Sequence, residues 1–130
     1  MADCCCGNGN VLLFACSGGS NVGQISNDAA KALDQLGQGS FFCLSGIGAQ
    51  LPNFVARIKK DDTTVVAIDG CGMACAKKAL DNIGETADVY VVVTDLGIAK
   101  GHHFNYTKEE VGHVAQAVSD AVHGAKCCRE

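Results

Sequence analysis

The chain has 130 residues, nine of them cysteine, with 48% apolar and 18% charged residues and a formal net charge of −4. That balance describes one folded domain with a sizeable core and excludes a disordered chain. It carries no basic footprint for nucleic acid or an anionic membrane surface, and no apolar run reaches the ~18 residues of a membrane span.

Residues 1–10 read as a cysteine-rich tail with Cys4, Cys5 and Cys6. The start Met1-Ala2-Asp3-Cys4 lacks the basic and apolar regions of a secretory signal, so a cytoplasmic protein is expected. In a reducing compartment cysteines serve metals or catalysis more often than disulfides.

A domain over residues 11–124 follows. Val11 to Ala15 is a continuous apolar run and predicts a strand that ends at Cys16. Val22, Ile25, Ala29, Ala32, Leu33 and Leu36 keep helical spacing, with Gly37 as the stop and Asn21-x-x-Gln24 as a capping box. Phe41 to Leu44 predicts a second strand, which carries Cys43 near its end. Leu51, Phe54, Val55 and Ile58 form a helical stripe with Pro52 in the first turn.

Val65 to Ile68 predicts a third strand, followed by Asp69-Gly70-Cys71-Gly72-Met73-Ala74-Cys75. Met73, Ala76, Leu80 and Ile83 predict a helix closed by Gly84, and the i, i+4 spacing places Cys71 and Cys75 on one face of its first turn. Val89 to Val93 predicts the fourth strand. The aperiodic segment from Thr94 to Tyr106 holds Asp95, Lys100, His102 and His103. Thr107-x-x-Glu110 caps a last helix with the stripe Val111, Val114, Val118 and Val122, on which His113 and His123 are expected at the surface. Residues 125–130 read as a second tail, with Cys127 and Cys128.

Strictly alternating strands and helices, with strands apolar along their whole length, predict a three-layer α/β/α sandwich. Its four-stranded sheet is mostly parallel, in the flavodoxin-like, Rossmann-type order 2-1-3-4. In such sheets ligands sit beyond the carboxyl ends of the strands. That order sets Cys16, Cys43 and Cys71 on neighbouring strand ends about 5 Å apart, with Cys75 returning from the next helix. Four thiols from three adjacent loops are the makings of a tetrahedral metal site. The glycines Gly18, Gly19, Gly46, Gly48, Gly70 and Gly72 would let backbone N–H groups face the sulfurs. Thiolates alone do not separate zinc from an iron–sulfur cluster or Cu(I).

The tripeptide Asp69-Gly70-Cys71 with Cys75-Ala76 resembles the DGC-domain family, a group described as zinc-binding. Cys16-Ser17-Gly18-Gly19-Ser20-Asn21-Val22-Gly23-Gln24 and Cys43-Leu44-Ser45-Gly46-Ile47-Gly48 resemble its other two motifs. The resemblance implies Zn2+ held by Cys16, Cys43, Cys71 and Cys75, and implies no particular reaction.

Other chemistries fit parts of the same pattern. The segment from Val11 to Asn21 is similar to the start of low-molecular-weight tyrosine phosphatases and arsenate reductases, but Val22 stands where their C-x5-R loop has arginine. Cys71 and Cys75 form the alternative of a thiol redox pair, with Cys71 as nucleophile. Asp69 is expected to cap a helix rather than act as a base, and Asn21 and Gln24 to cap rather than line the site. Lys100 and His102 are placed to meet a small anionic ligand on the cysteine edge.

Overall fold

The computed structural model describes residues 10–128. The strands are β1 (Val11–Ala15), β2 (Ser40–Phe41), β3 (Thr64–Asp69) and β4 (Val89–Val92), all parallel and in the order β2-β1-β3-β4. The expected order 2-1-3-4 is the observed one.

The central strands β1 and β3 are buried along their whole length because both faces of the sheet are covered there. On one face Val11, Leu13, Ala15, Val66 and Ile68 pack against α1 (Asn21–Gln35) and α5 (Lys108–Cys128). On the other, Leu12, Phe14, Val65 and Ala67 pack against Ile47 of α2 (Leu44–Gly48), Ile58 of α3 (Pro52–Ile58) and Leu80 of α4 (Cys75–Asp81). Successive side chains of a strand point to opposite faces, so each central strand feeds both layers.

The helix boundaries differ from the predicted ones in three informative places. The N-cap of α1 is Ser20, whose Oγ accepts from Gly23 N at 3.1 Å; Asn21 lies inside the helix and does other work. The second strand ends at Phe41, although Phe42 N still donates to Leu13 O at 2.9 Å, and Leu44 opens the short helix α2 instead of continuing the strand. A β-carbon on Gly46 would overlap the Phe54 ring, so this glycine is what lets α2 and α3 pack together. Finally, α4 starts at Cys75. Ala74 before it is left-handed (φ 58°, ψ 45°), and Met73 is exposed rather than part of the helix face. Cys71 therefore precedes the helix, and the two sulfurs do not share its first turn.

The last capping box forms as predicted, with Thr107 N donating to Glu110 Oε1 at 3.0 Å and Glu110 N donating to Thr107 Oγ1 at 3.1 Å. Val114, Val118 and Val122 are buried beneath α5, which continues to Cys128, while His113 and His123 are exposed. Cys4, Cys5 and Cys6 lie outside the described residues, as do the thiols of Cys127 and Cys128. Among the described residues no helix is long and apolar enough to cross a membrane.

Candidate functional site

The register carries the cysteines to one edge. Ala15 pairs with Ile68, and Cys16 N donates to Ile68 O at 2.9 Å, so Cys16 extends β1 by one residue. Cys43 lies two residues beyond β2 and Cys71 two beyond β3. These three thiols thus leave adjacent strands at their carboxyl ends, where loops carry chemistry in this architecture.

Cys16 is half-buried, and main-chain N–H groups of Gly18 and Gly70 point at its sulfur. Burial pushes its thiol pKa up; the two amides oppose that shift, and the neighbouring Cys75 and Asp69 add to it. Gly70 has a structural reason to be glycine: a β-carbon there would lie 2.8 Å from Gly23 N and 2.9 Å from Val22 C. This close approach seats the end of β3 on the start of α1 and aims the Gly70 amide at Cys16.

Cys71 is partly exposed and meets Lys100, whose Nζ lies 3.4 Å from its sulfur. Lys100 comes from the long segment after β4, which opens with a 3-10 turn (Val93–Leu96), is anchored by the buried Ile98 and is tied to α1. The buried Asn21 makes the tie: its Nδ2 donates to Ala99 O at 2.9 Å and its Oδ1 accepts from Gly101 N at 2.7 Å. Asn21 N also donates to Gly101 O at 3.2 Å, and His102 Nδ1 lies 2.9 Å from Gly19 O. Gln24 likewise holds the loop after Cys16, donating from Nε2 to Gly18 O at 3.0 Å and to Ser17 Oγ at 3.3 Å. Neither side chain caps the helix. His103 stays within its own loop, accepting from Asn105 N at 3.1 Å.

Asp69 takes the capping role expected of it, at a distance. It is 1% exposed and accepts from Ala76 N at 2.7 Å and Lys77 N at 3.1 Å, binding the N-terminus of α4 to the end of β3. It also accepts from Tyr90 Oη at 2.8 Å, and this partner was invisible in the sequence. Tyr90 pairs with Ala67, so it shares a face with Ala67 and Asp69 and its long side chain reaches the carboxylate. Partial burial and the Asp69 hydrogen bond raise the Tyr90 pKa strongly. Only the strand register could have revealed that pair.

Cys43 and Cys75 are both exposed. Cys75 opens α4 close enough to Cys16 to interact with it electrostatically. Cys43 lines a cleft of about 500 Å3 beside the ends of β1 and β2, together with Ser17, Asn27, Phe41 and Ser45. Among the described residues no three His, Cys, Asp or Glu side chains converge closely enough to hold a metal ion. The edge carries four free thiols, of which Cys16 and Cys71 are partly buried and Cys43 and Cys75 exposed, with the Lys100 ammonium beside Cys71.

The fold and the edge define a parallel α/β protein with thiols at the ligand end of its sheet. The chain belongs to the DGC-domain family, whose model matches residues 12–118. It is 33% identical over 89 residues to the anaerobic and virulence modulator AnvM of Pseudomonas aeruginosa, an alignment covering 68% of this chain and 67% of that one. No solved structure matches it.

Proposed function

We propose that the chain is a zinc-binding protein that holds the ion on Cys16, Cys43, Cys71 and Cys75 and acts as a metal-dependent carrier or sensor. The observation that carries this reading is the delivery of three thiols from adjacent strand ends to one edge, with the Gly18 and Gly70 amides already directed at Cys16. Four thiolates on a divalent cation leave net negative charge, which N–H donors and a lysine offset. Lys100 beside Cys71 serves that purpose here. Closing the site requires Cys43 and Cys75 to turn inward, and both are exposed.

The chain's own residues would hold the ion, orient it against the sheet edge and offset its charge; a zinc ion would hold the thiols as thiolates. The name of the relative, a modulator, agrees with a sensing role. Free thiols require a reducing compartment such as the cytoplasm. Metal analysis of anaerobically purified protein, paired with its absorption spectrum, tests the reading. One colourless zinc per chain supports it, and a brown chromophore would replace zinc with an iron–sulfur cluster.

The Lys100 contact also favours a second reading, in which Cys71 is a reactive thiol and Cys75 its resolving partner. It predicts metal-free protein in which iodoacetamide modifies Cys71 faster than Cys43, and in which Lys100→Met slows that reaction. A small anion seated beside Lys100 and His102 would slow it as well, and added sulfate tests for one.

A further inference from the structure

The contact between Cys71 and Lys100 sets a nucleophilic sulfur against a primary amine. Lys100 Nζ lies 3.4 Å from Cys71 Sγ, and among the described residues no carboxylate stands within ion-pair distance of that ammonium. Both partners are held through their neighbours in the chain. Asn21 binds the residues on either side of Lys100: its Nδ2 donates to Ala99 O at 2.9 Å and its Oδ1 accepts from Gly101 N at 2.7 Å. Ile98, just before them, is buried. On the other partner, Thr94 N donates to Gly70 O at 3.2 Å and Ala74 N to Cys71 O at 3.1 Å, which fastens the turn that carries the thiol. Lys100 is exposed and Cys71 partly exposed, so a small solute reaches the pair from solvent. Cys75 lies beyond the left-handed Ala74 and opens α4, whereas Lys100 already hydrogen-bonds the Cys71 sulfur.

We propose that Lys100 is the resolving group of Cys71: once a hydroperoxide has oxidised the thiol, the two side chains join through a sulfenamide bond. The inference rests on the reading of Cys71 as a reactive thiol and puts Lys100 in the place given there to Cys75. In the first step the Cys71 thiolate attacks the peroxide. The O–O bond breaks, an S–O bond forms, and the other oxygen leaves and takes up a proton. Sulfur loses two electrons, which the peroxide gains. In the second step Lys100, its ammonium proton released to solvent, attacks the sulfenic sulfur. An S–N bond forms, the S–O bond breaks, and the hydroxyl departs as water with a hydrogen from the amine. Sulfenic acids condense with nitrogen in this way, and the product is spared the irreversible step to sulfinic acid. An amine fixed beside the sulfur outcompetes partners free in solution. Thiols reverse the bond: one takes the sulfur and frees the lysine, and a second releases the Cys71 thiol as a disulfide of the two reductants forms. Oxidation thus locks the segment after β4 to the end of β3, and reduction frees it.

Peptide mapping by mass spectrometry reads the bond. Reduced, chelator-treated protein is exposed to hydrogen peroxide and digested with trypsin without reductant. Peptide 61–77, which holds Cys71, should appear joined to peptide 79–108 across an uncut Lys100, the pair lighter than its parts by two hydrogen atoms. Dithiothreitol should separate them. Dimedone, which traps sulfenic acid, should label Cys71 and suppress the joined peptide. Lys100→Arg keeps the charge with a far weaker nucleophile, so it should retain the dimedone label and lose the joined peptide. Asn21→Ala should retain the label and lower the yield of joined peptide several-fold, because the residues flanking Lys100 are no longer held. A labelled Cys71 with no joined peptide, or a Cys71–Cys75 disulfide within peptide 61–77 in its place, overturns Lys100 as the resolving group. A yield indifferent to Asn21→Ala overturns the positioning of the amine. Absence of the dimedone label on Cys71 in both the intact protein and Lys100→Arg overturns the reactive-thiol reading, and with it this inference.

Discussion

Asp69 shows how one buried carboxylate organises the carboxyl edge of the sheet. It binds the first amides of α4 and the Tyr90 hydroxyl, and so sets where Cys75 begins. Asp69→Ala would leave three donors without their acceptor, and hydrogen bonds to a charged group contribute about 1.5–3 kcal/mol each. Thermal unfolding should show a loss of at least the lower figure; an unchanged midpoint would remove Asp69 from this role. Tyr90 gives a second expectation. Its pKa is raised by burial and by Asp69, and that of Tyr106 by its hydrogen bond to Asp28. A phenol with a raised native pKa stabilises the fold below the ordinary value of about 10, and that stability is lost as pH climbs through the native value. The chain has two tyrosines and no tryptophan, so tyrosinate absorbance reads both directly. Native protein should titrate at higher pH than urea-unfolded protein, and stability should fall above pH ~10. Superimposed titration curves would contradict this.

The contact between the end of β3 and the start of α1 decides how well Cys16 is held. A β-carbon at Gly70 would press on Gly23 N and Val22, all backbone, so nothing can swing aside. Gly70→Ala should cost about 1–3 kcal/mol, the range for overpacking, and chemical denaturation measures it. A cost near zero would mean that these two elements are not rigidly seated. Asn21 ties the segment after β4 to α1 through Ala99 and Gly101. Asn21→Ala should speed hydrogen exchange at the Gly101 amide and chymotryptic cleavage at the exposed Phe104, with the sheet amides unchanged. Equal exchange in both proteins would show that the segment is held without the Asn21 side chain. Sequence periodicity located β1, β3 and α5 well because their faces are buried continuously. It overran β2, where a short edge strand gives way to a helix turn, and it started α4 too early, because a left-handed Ala74 leaves no trace in an apolar pattern.

For the molecule as a whole, an ion bound only by the native state adds stability that depends on its concentration, about 2.7 kcal/mol at one hundred times Kd. Under the zinc reading, a chelator under anaerobic conditions should lower the melting midpoint of the intact protein and leave that of Cys71→Ser unchanged. Equal midpoints with and without chelator in the intact protein would uncouple the ion from folding. The two-sided core itself is built of apolar side chains. Phe14 lies fully buried in the layer beneath α2, α3 and α4, and Phe14→Ala should cost about 3–5 kcal/mol whether or not metal is present.

The sequence by itself determined the class of fold and the strand ends that carry the cysteines; right-handed crossovers leave few strand orders, and the structure has the expected one of them, β2-β1-β3-β4. Those follow from apolar runs, helical spacing and the handedness of crossovers, which are local or near-local constraints. The motifs also sufficed to indicate the family. Only the tertiary structure decided that Lys100 stands on Cys71, that Tyr90 completes Asp69, that Asn21 fastens a loop rather than capping a helix, and that Cys43 opens onto a cleft. Each of these joins residues far apart in the chain, from the 21 positions between Asp69 and Tyr90 to the 78 between Asn21 and Ala99. Such pairings depend on strand register and on how a loop lies across the sheet edge, and no periodicity in one chain encodes either.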